Sequence, residues 1–141
     1  MTGHVFISYS HDETAEYVHR LETHLNLAGI AVWDDKEIIS GDHWRRLIRE
    51  QIDTCAAVII VMTPDAEQSP WVNCEIVRAE NGQKPILPLL LRGTGFFGPD
   101  DLQYADVSTG TMPTFAFTNR LRCYLAGRRR THTTGACRLP C

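Results

Sequence analysis

Trp71 and Glu75 stand four residues apart in Ser69-Pro70-Trp71-Val72-Asn73-Cys74-Glu75-Ile76-Val77-Arg78-Ala79. In a helix, that spacing stacks two side chains on one face. The stretch reads as a helix start. Ser69 supplies a capping oxygen, and Pro70 suits a first helical position because the N–H it lacks would be unpaired there. Val72, Ile76 and Ala79 recur at helical spacing and turn toward a core, with Trp71 and Glu75 on the edge of that stripe. A carboxylate held half in water and half against an indole can steady a positive charge on a substrate. The plainer alternative is a solvated glutamate beside a packing tryptophan, because most helical glutamates are exposed. The surrounding architecture has to decide between them.

Other reactive residues are less promising. His19 and His24 are five apart on a helix and diverge, and His43 is isolated. His11 follows the first strand closely enough to touch a ligand. No metal-binding set emerges. Cys74 directly precedes Glu75, but consecutive helical residues point about 100° apart, which disfavours a thiol nucleophile there. Gly93-Thr94-Gly95-Phe96-Phe97-Gly98 has the glycine spacing of a dinucleotide fingerprint. It lacks the helix opening at its third glycine, and the position ~20 residues on, near Phe117-Thr118, is not acidic. It reads as a glycine-rich loop. Arg128-Arg129-Arg130 reads as solvated.

The elements that position these residues alternate along the chain. Val5-Phe6-Ile7-Ser8-Tyr9 is a short buried strand. Ala15, Val18, Leu21, Leu25 and Ala28 mark one face of a helix that Gly29 ends. Ile30 to Trp33 is a second strand, followed by a charged loop, Asp34 to Gly41, that carries Ile38 and Ile39. Asp42 caps a helix whose expected buried face is Trp44, Leu47, Ile48 and Ile52. Ala56 to Met62 is continuously apolar, the mark of a strand covered on both faces, and Thr63-Pro64-Asp65 closes it. After the Trp71–Glu75 helix, stopped at Asn81-Gly82, Ile86 to Leu91 forms a fourth strand. Pro88 cannot donate to a ladder, which places that strand toward a sheet edge. Tyr104 to Ser108 reads as a short edge strand and Phe115 to Leu125 as a last helix. Roughly 20 residues separate the early strands, enough for a crossover helix and too many for a hairpin. Such alternation gives a parallel sheet with helices on both faces.

The whole chain bounds the function. Its 141 residues make one domain, with 43% hydrophobic and 22% charged residues, as in ordinary globular proteins. A net charge of −3 gives no electrostatic case for nucleic acid. No apolar run approaches the ~18 residues of a membrane span, and the N-terminus lacks the pattern of a signal peptide. Five cysteines without metal-like pairing suit a reducing cytoplasm. Cys55, Cys74 and Cys123 read as small buried residues. Residues 126–141 carry no apolar period and read as a disordered tail.

Ligands of open parallel sheets bind at the carboxyl ends of the strands, where strand order reverses. That rule collects Ser8 to His11, Trp33 to Asp35, Thr63-Pro64 and the start of the Trp71–Glu75 helix into one mouth. Trp33 there is either core filler or a stacking surface for a flat heterocycle.

Taken together and in order, these stretches resemble a TIR (Toll/interleukin-1 receptor-like) domain. Val5-Phe6-Ile7-Ser8-Tyr9-Ser10 resembles the family's first strand and loop. Gly29 to Asp34 resembles its second strand, and Ile38-Ile39-Ser40-Gly41 the tip of its long BB loop. Trp71-Val72-Asn73-Cys74-Glu75-Ile76 resembles its W-x-x-x-E helix, and Ile86 to Leu91 its fourth strand. The resemblance covers residues 4 to 92 and places the domain at 1–125.

The resemblance implies a flavodoxin-like α/β fold, with five parallel strands in the order 2-1-3-4-5. It also implies one of two functions. The first is cleavage of NAD+ between nicotinamide and ribose, with Glu75 as catalytic residue. Ser10, His11, Trp33, Asp35 and Trp71 would then hold NAD+ as substrate, with no cofactor or metal. The second is a non-catalytic module acting through TIR–TIR contacts. Family adaptors commonly lack the glutamate, so Glu75 favours the enzyme. Self-association through the loop of Ile38, Ile39 and Gly41 is expected in either case. A receiver-like flavodoxin domain would need an acidic cluster at the end of the first strand, where only Asp12 lies.

Overall fold

The side chains of the central strands alternate between two apolar layers. The computed structural model describes residues 3–10, 14–34, 44–93 and 104–127. In chain order these form β1 (Val5–Ser8), α1 (Ala15–Leu27), β2 (Val32–Trp33), α2 (Trp44–Thr54) and β3 (Ala57–Met62). They continue with α3 (Pro64–Gln68), α4 (Pro70–Asn81), β4 (Ile86–Leu90), β5 (Ala105–Asp106) and α5 (Phe115–Leu125). The five strands make one parallel sheet in the order β2-β1-β3-β4-β5. This is the expected flavodoxin-like topology.

One sheet face carries Val5, Ile7, Ala57, Ile59, Val61, Leu87 and Leu89. It packs on Val18, Leu21 and Leu25 of α1 and on Phe117 and Leu121 of α5. The other face carries Phe6, Val58, Ile60, Met62 and Leu90 against Ile48 and Ile52 of α2, Ala66 of α3, and Val72, Ile76 and Ala79 of α4. Each fully enclosed aliphatic side chain in these layers contributes about 1.5–3 kcal/mol.

Helix ends follow local chemistry. Gly29, at φ +84°, ends α1 by donating its N–H to Asn26 O while Ile30 N–H reaches Leu25 O. The same pair of bonds ends α4, from Gln83 to Glu80 O and from Lys84 to Ala79 O. Here the left-handed residue is Gln83, at φ 58°, rather than the neighbouring Gly82. Thr63 closes β3, as expected, and also caps the short helix α3 by accepting from the Ala66 N–H.

Several expectations need correction. Leu47 is 37% exposed, because the buried stripe of α2 runs through Ile48 and Ile52, one helical step away. Asp42 and the Trp44 side chain lie outside what the structure describes. Cys74 is exposed, on the side of α4 turned from Val72 and Ile76. Cys123 is fully buried, as expected.

β4 lies one strand in from the edge. Leu91 N–H donates to Met62 O on the β3 side. Peptide groups alternate along a parallel strand, so the N–H that Pro88 lacks would point toward β5. β5 pairs only with Leu89 and Leu90, and the proline therefore removes no ladder bond. No helix among the described residues is long and apolar enough to cross a membrane.

Candidate active site at the carboxyl end of the sheet

α3 bridges the end of β3 and the start of α4, so α4 begins at the carboxyl end of the sheet. Ser69 Oγ accepts the Val72 N–H at 3.2 Å, and Pro70 occupies the first turn. The cap sets the phase of the helix. Val72, Glu75, Ile76 and Ala79 then share one stripe, and all four are buried. Glu75 is only 5% exposed. The glutamate does not sit on the rim of the apolar stripe, as its spacing from Trp71 suggested. It occupies a core position of the stripe.

An ionised carboxylate in such a place needs a polar partner. Ser8, the last residue of β1, provides one: its hydroxyl donates to Glu75 Oε1 at 2.6 Å. Ser8 points to the α4 side of the sheet because it is two residues beyond Phe6, which packs in the same layer. Ser8 fell within the strand-end mouth read from sequence, but its pairing with Glu75 was not foreseen.

Trp33, at the end of β2, and Trp71, in the first turn of α4, are both half-buried against the same layer. Trp33 stacks on Phe6, so part of its surface is core filler. Ser10 is 9% exposed just beyond β1, where its carbonyl accepts the Thr14 hydroxyl. Asp34, directly after Trp33, is a second buried carboxylate, at 6% exposure. The fold thus brings Ser8, Trp33, Trp71 and Glu75 to one layer at the carboxyl end of the sheet. His11 and Asp35 lie outside the described residues, as do Ile38, Ile39 and Gly41 of the charged loop. Among the described residues, no cluster of three His, Cys, Asp or Glu side chains could hold a metal ion.

A second concavity lies along the β4–β5 edge, on the α5 side. It has a volume of about 530 Å³ and is lined by Ile86, Leu87, Pro88, Tyr104, Phe117 and Tyr124, with Lys84 and Arg120 at its polar margin. Among the described residues, no carboxylate lines it. Neither cation forms an ion pair among the described residues.

A doubly wound parallel sheet with a buried serine–carboxylate pair at its carboxyl end defines a flavodoxin-like α/β domain with a polar site at the strand-order reversal. Within that class the chain belongs to the TIR domain family, whose model matches residues 5–122. The match extends past the fourth strand, through most of α5. The chain is 29% identical over 94 residues to the NAD(+) hydrolase sarm1 of Drosophila melanogaster, a match covering 61% of this chain and 7% of that protein. It is also 29% identical over 90 residues to the 2′ cyclic ADP-D-ribose synthase AbTIR of Acinetobacter baumannii, covering 60% of this chain and 34% of that protein. The chain therefore spans well under two thirds of the length of these relatives. Among solved structures, the TIR domain of the Toll-related receptor TRR-2 from Hydra magnipapillata superposes with a TM-score of 0.65 at 24% identity. That superposition covers 74% of this chain and 84% of that one.

Proposed function

We propose that this domain cleaves NAD+ at the bond between nicotinamide and ribose, with Glu75 as its catalytic carboxylate. The observation that carries the reading is the burial of Glu75 at the carboxyl end of the sheet, in the layer that holds Trp33 and Trp71. Relatives named as an NAD(+) hydrolase and a 2′ cyclic ADP-D-ribose synthase support the substrate.

The chemistry suits a lone carboxylate. The nicotinamide of NAD+ is a cationic leaving group. As the C–N bond breaks, its electron pair passes to the ring nitrogen and nicotinamide departs neutral. No general acid is needed, unlike the cleavage of an ordinary glycoside. Positive charge develops on the ribose, and a fixed carboxylate in a water-poor site attracts it more strongly than one in bulk water. Glu75 fills that role and accepts hydrogen bonds from the ribose hydroxyls. Trp33 stacks on the nicotinamide or a base, and Ser10, His11, Asp35 and Trp71 complete the pocket. Attack by water gives ADP-ribose and releases a proton. Attack by an internal ribose hydroxyl or by adenine gives a cyclic product.

The reading includes self-association. The acidic and apolar sequence Asp35-Lys36-Glu37-Ile38-Ile39 complements the cation-rimmed apolar groove beside Lys84 and Arg120. A second copy offering that loop would satisfy both cations and cover both isoleucines. The site of action that suits NAD+ as substrate is the cytoplasm.

Incubation of concentrated wild-type and Glu75→Gln protein with NAD+ tests the proposal, with nicotinamide and ribosyl products separated by chromatography. Wild type is expected to release nicotinamide, and Glu75→Gln to be slower by about 100- to 1,000-fold, as for loss of one charge-stabilising group. Wild type that releases none, even when crowded, would leave a non-catalytic interaction module as the function.

A further inference from the structure

Ser8 and Glu75 are 67 residues apart in sequence, and their side chains meet in the interior, at 1% and 5% exposure. The buried threonines have local uses. Thr63 caps α3, and Thr14 and Thr118 donate to carbonyls three or four residues back. Ser8 instead reaches across the sheet–helix interface to the only buried glutamate among the described residues.

We propose that Ser8 is the positioning residue for Glu75: its hydroxyl holds Oε1 and fixes the carboxylate in the orientation that meets the cationic ribose. The proposal rests on the reading of Glu75 as the catalytic group. Its physical basis is threefold. The 2.6 Å separation falls in the range of charge-assisted O–H···O⁻ bonds, which are about twice as strong as neutral ones. The donor sits on a rigid platform. β1 is flanked by β2 and β3, and Ser8 itself is in register with Ile60, so the hydroxyl is placed by the sheet and not by a loop. Finally, glutamate is rich in rotamers, and a carboxylate free to swing would give up much of its attraction for a charge that develops at one point. The same donor bonds a carboxylate more strongly than a neutral carboxyl.

Steady-state kinetics of nicotinamide release test this with three variants. Ser8→Ala removes the donor. Ser8→Thr keeps the hydroxyl on a residue that strands accept, and Ser8→Val has the shape of threonine without the hydroxyl. Ser8→Ala is expected to lower kcat by about 10- to 100-fold, the loss of one hydrogen bond to a charged group. KM should change by less than about 3-fold, because Ser8, at 1% exposure, is shielded behind the carboxylate it holds. The acid limb of the kcat–pH profile should move to higher pH in Ser8→Ala but not in Ser8→Thr. Should Ser8→Ala fail to fold, the Ser8→Thr and Ser8→Val pair carries the same comparison, with activity kept only in Ser8→Thr. Equal kcat in Ser8→Thr and Ser8→Val, or a folded Ser8→Ala with wild-type kcat, overturns the assignment while the enzymatic reading stands. A wild type inactive toward NAD+ overturns both.

Discussion

The indole of Trp33 lies on the ring of Phe6, with centroids 5.4 Å apart and planes inclined by 22°. Both residues belong to neighbouring strands in register, since Phe6 pairs with Trp33 across β1 and β2. Stacking on Phe6 commits one side of the indole to the core and leaves the remainder partly exposed. Trp33→Ala should therefore lose two things. Stability should fall by roughly 2–3 kcal/mol, less than the 3–5 kcal/mol of a fully enclosed ring, read from urea denaturation. KM for NAD+ should rise by roughly 5- to 150-fold if the indole stacks on a ring of the substrate. Trp33→Phe should keep most of both. A KM unchanged in Trp33→Ala would make the residue core filler alone.

Gln83 occupies a left-handed conformation at the end of α4, at φ 58°. A side chain there costs about 1–2 kcal/mol, which glycine avoids at some cost in unfolded-state entropy. Gln83→Gly should stabilise the fold by roughly 0.5–1 kcal/mol, measured by the urea midpoint. An unchanged midpoint would show that the turn is unstrained.

Tyr17 donates its hydroxyl to Thr111 O at 2.8 Å, and Arg20 lies 5.5 Å from the centre of its ring. Burial pushes the Tyr17 phenol up to about 12, with the Arg20 charge opposing the shift. The fold thus disfavours the phenolate. That contribution to stability is fully present below the ordinary value of 10.0 and is lost as pH rises toward about 12. At neutral pH, Tyr17→Phe should cost about 1 kcal/mol for the missing hydrogen bond. The gap in Tm between wild type and Tyr17→Phe should close, and then reverse, as pH climbs past 10.0. A constant gap would place the phenol in easy contact with solvent.

The groove flanked by Lys84 and Arg120 should respond to charge reversal. The Lys84→Glu, Arg120→Glu double variant should weaken self-association on the order of 10-fold, from two partly solvated contacts of up to about 1 kcal/mol each. Sedimentation across a range of concentrations measures the association, and nicotinamide release per chain reports its consequence. Both should fall together at high protein concentration. Unchanged association would remove the groove as the receiver of the loop.

Local sequence was sufficient for much of the fold. Continuous apolar runs in Val5–Ile7 and Ala57–Met62, with helical periods between them, encode strands covered on both faces. The spacing between those strands is long enough for crossovers, and this dictates parallel pairing. The cap at Ser69 and the proline after it mark the start of α4 to the residue, since capping depends only on neighbours. Weak local signals were less informative. α3 is five residues long, too short for a helical period to show in the sequence. β5 has only two paired residues, against the five in Tyr104–Ser108.

The sequence by itself determined that a glutamate follows a tryptophan by one helical turn near the mouth of a parallel sheet, because period and spacing are short-range properties. Only the tertiary structure decided that the glutamate is interior, that its oxygen meets Ser8 across 67 residues, and that Phe6 covers part of Trp33. Those relationships depend on the register of β1 against its neighbours and on how deeply α4 settles on the sheet. Both are set by the packing of whole layers, and no single stretch of chain encodes them.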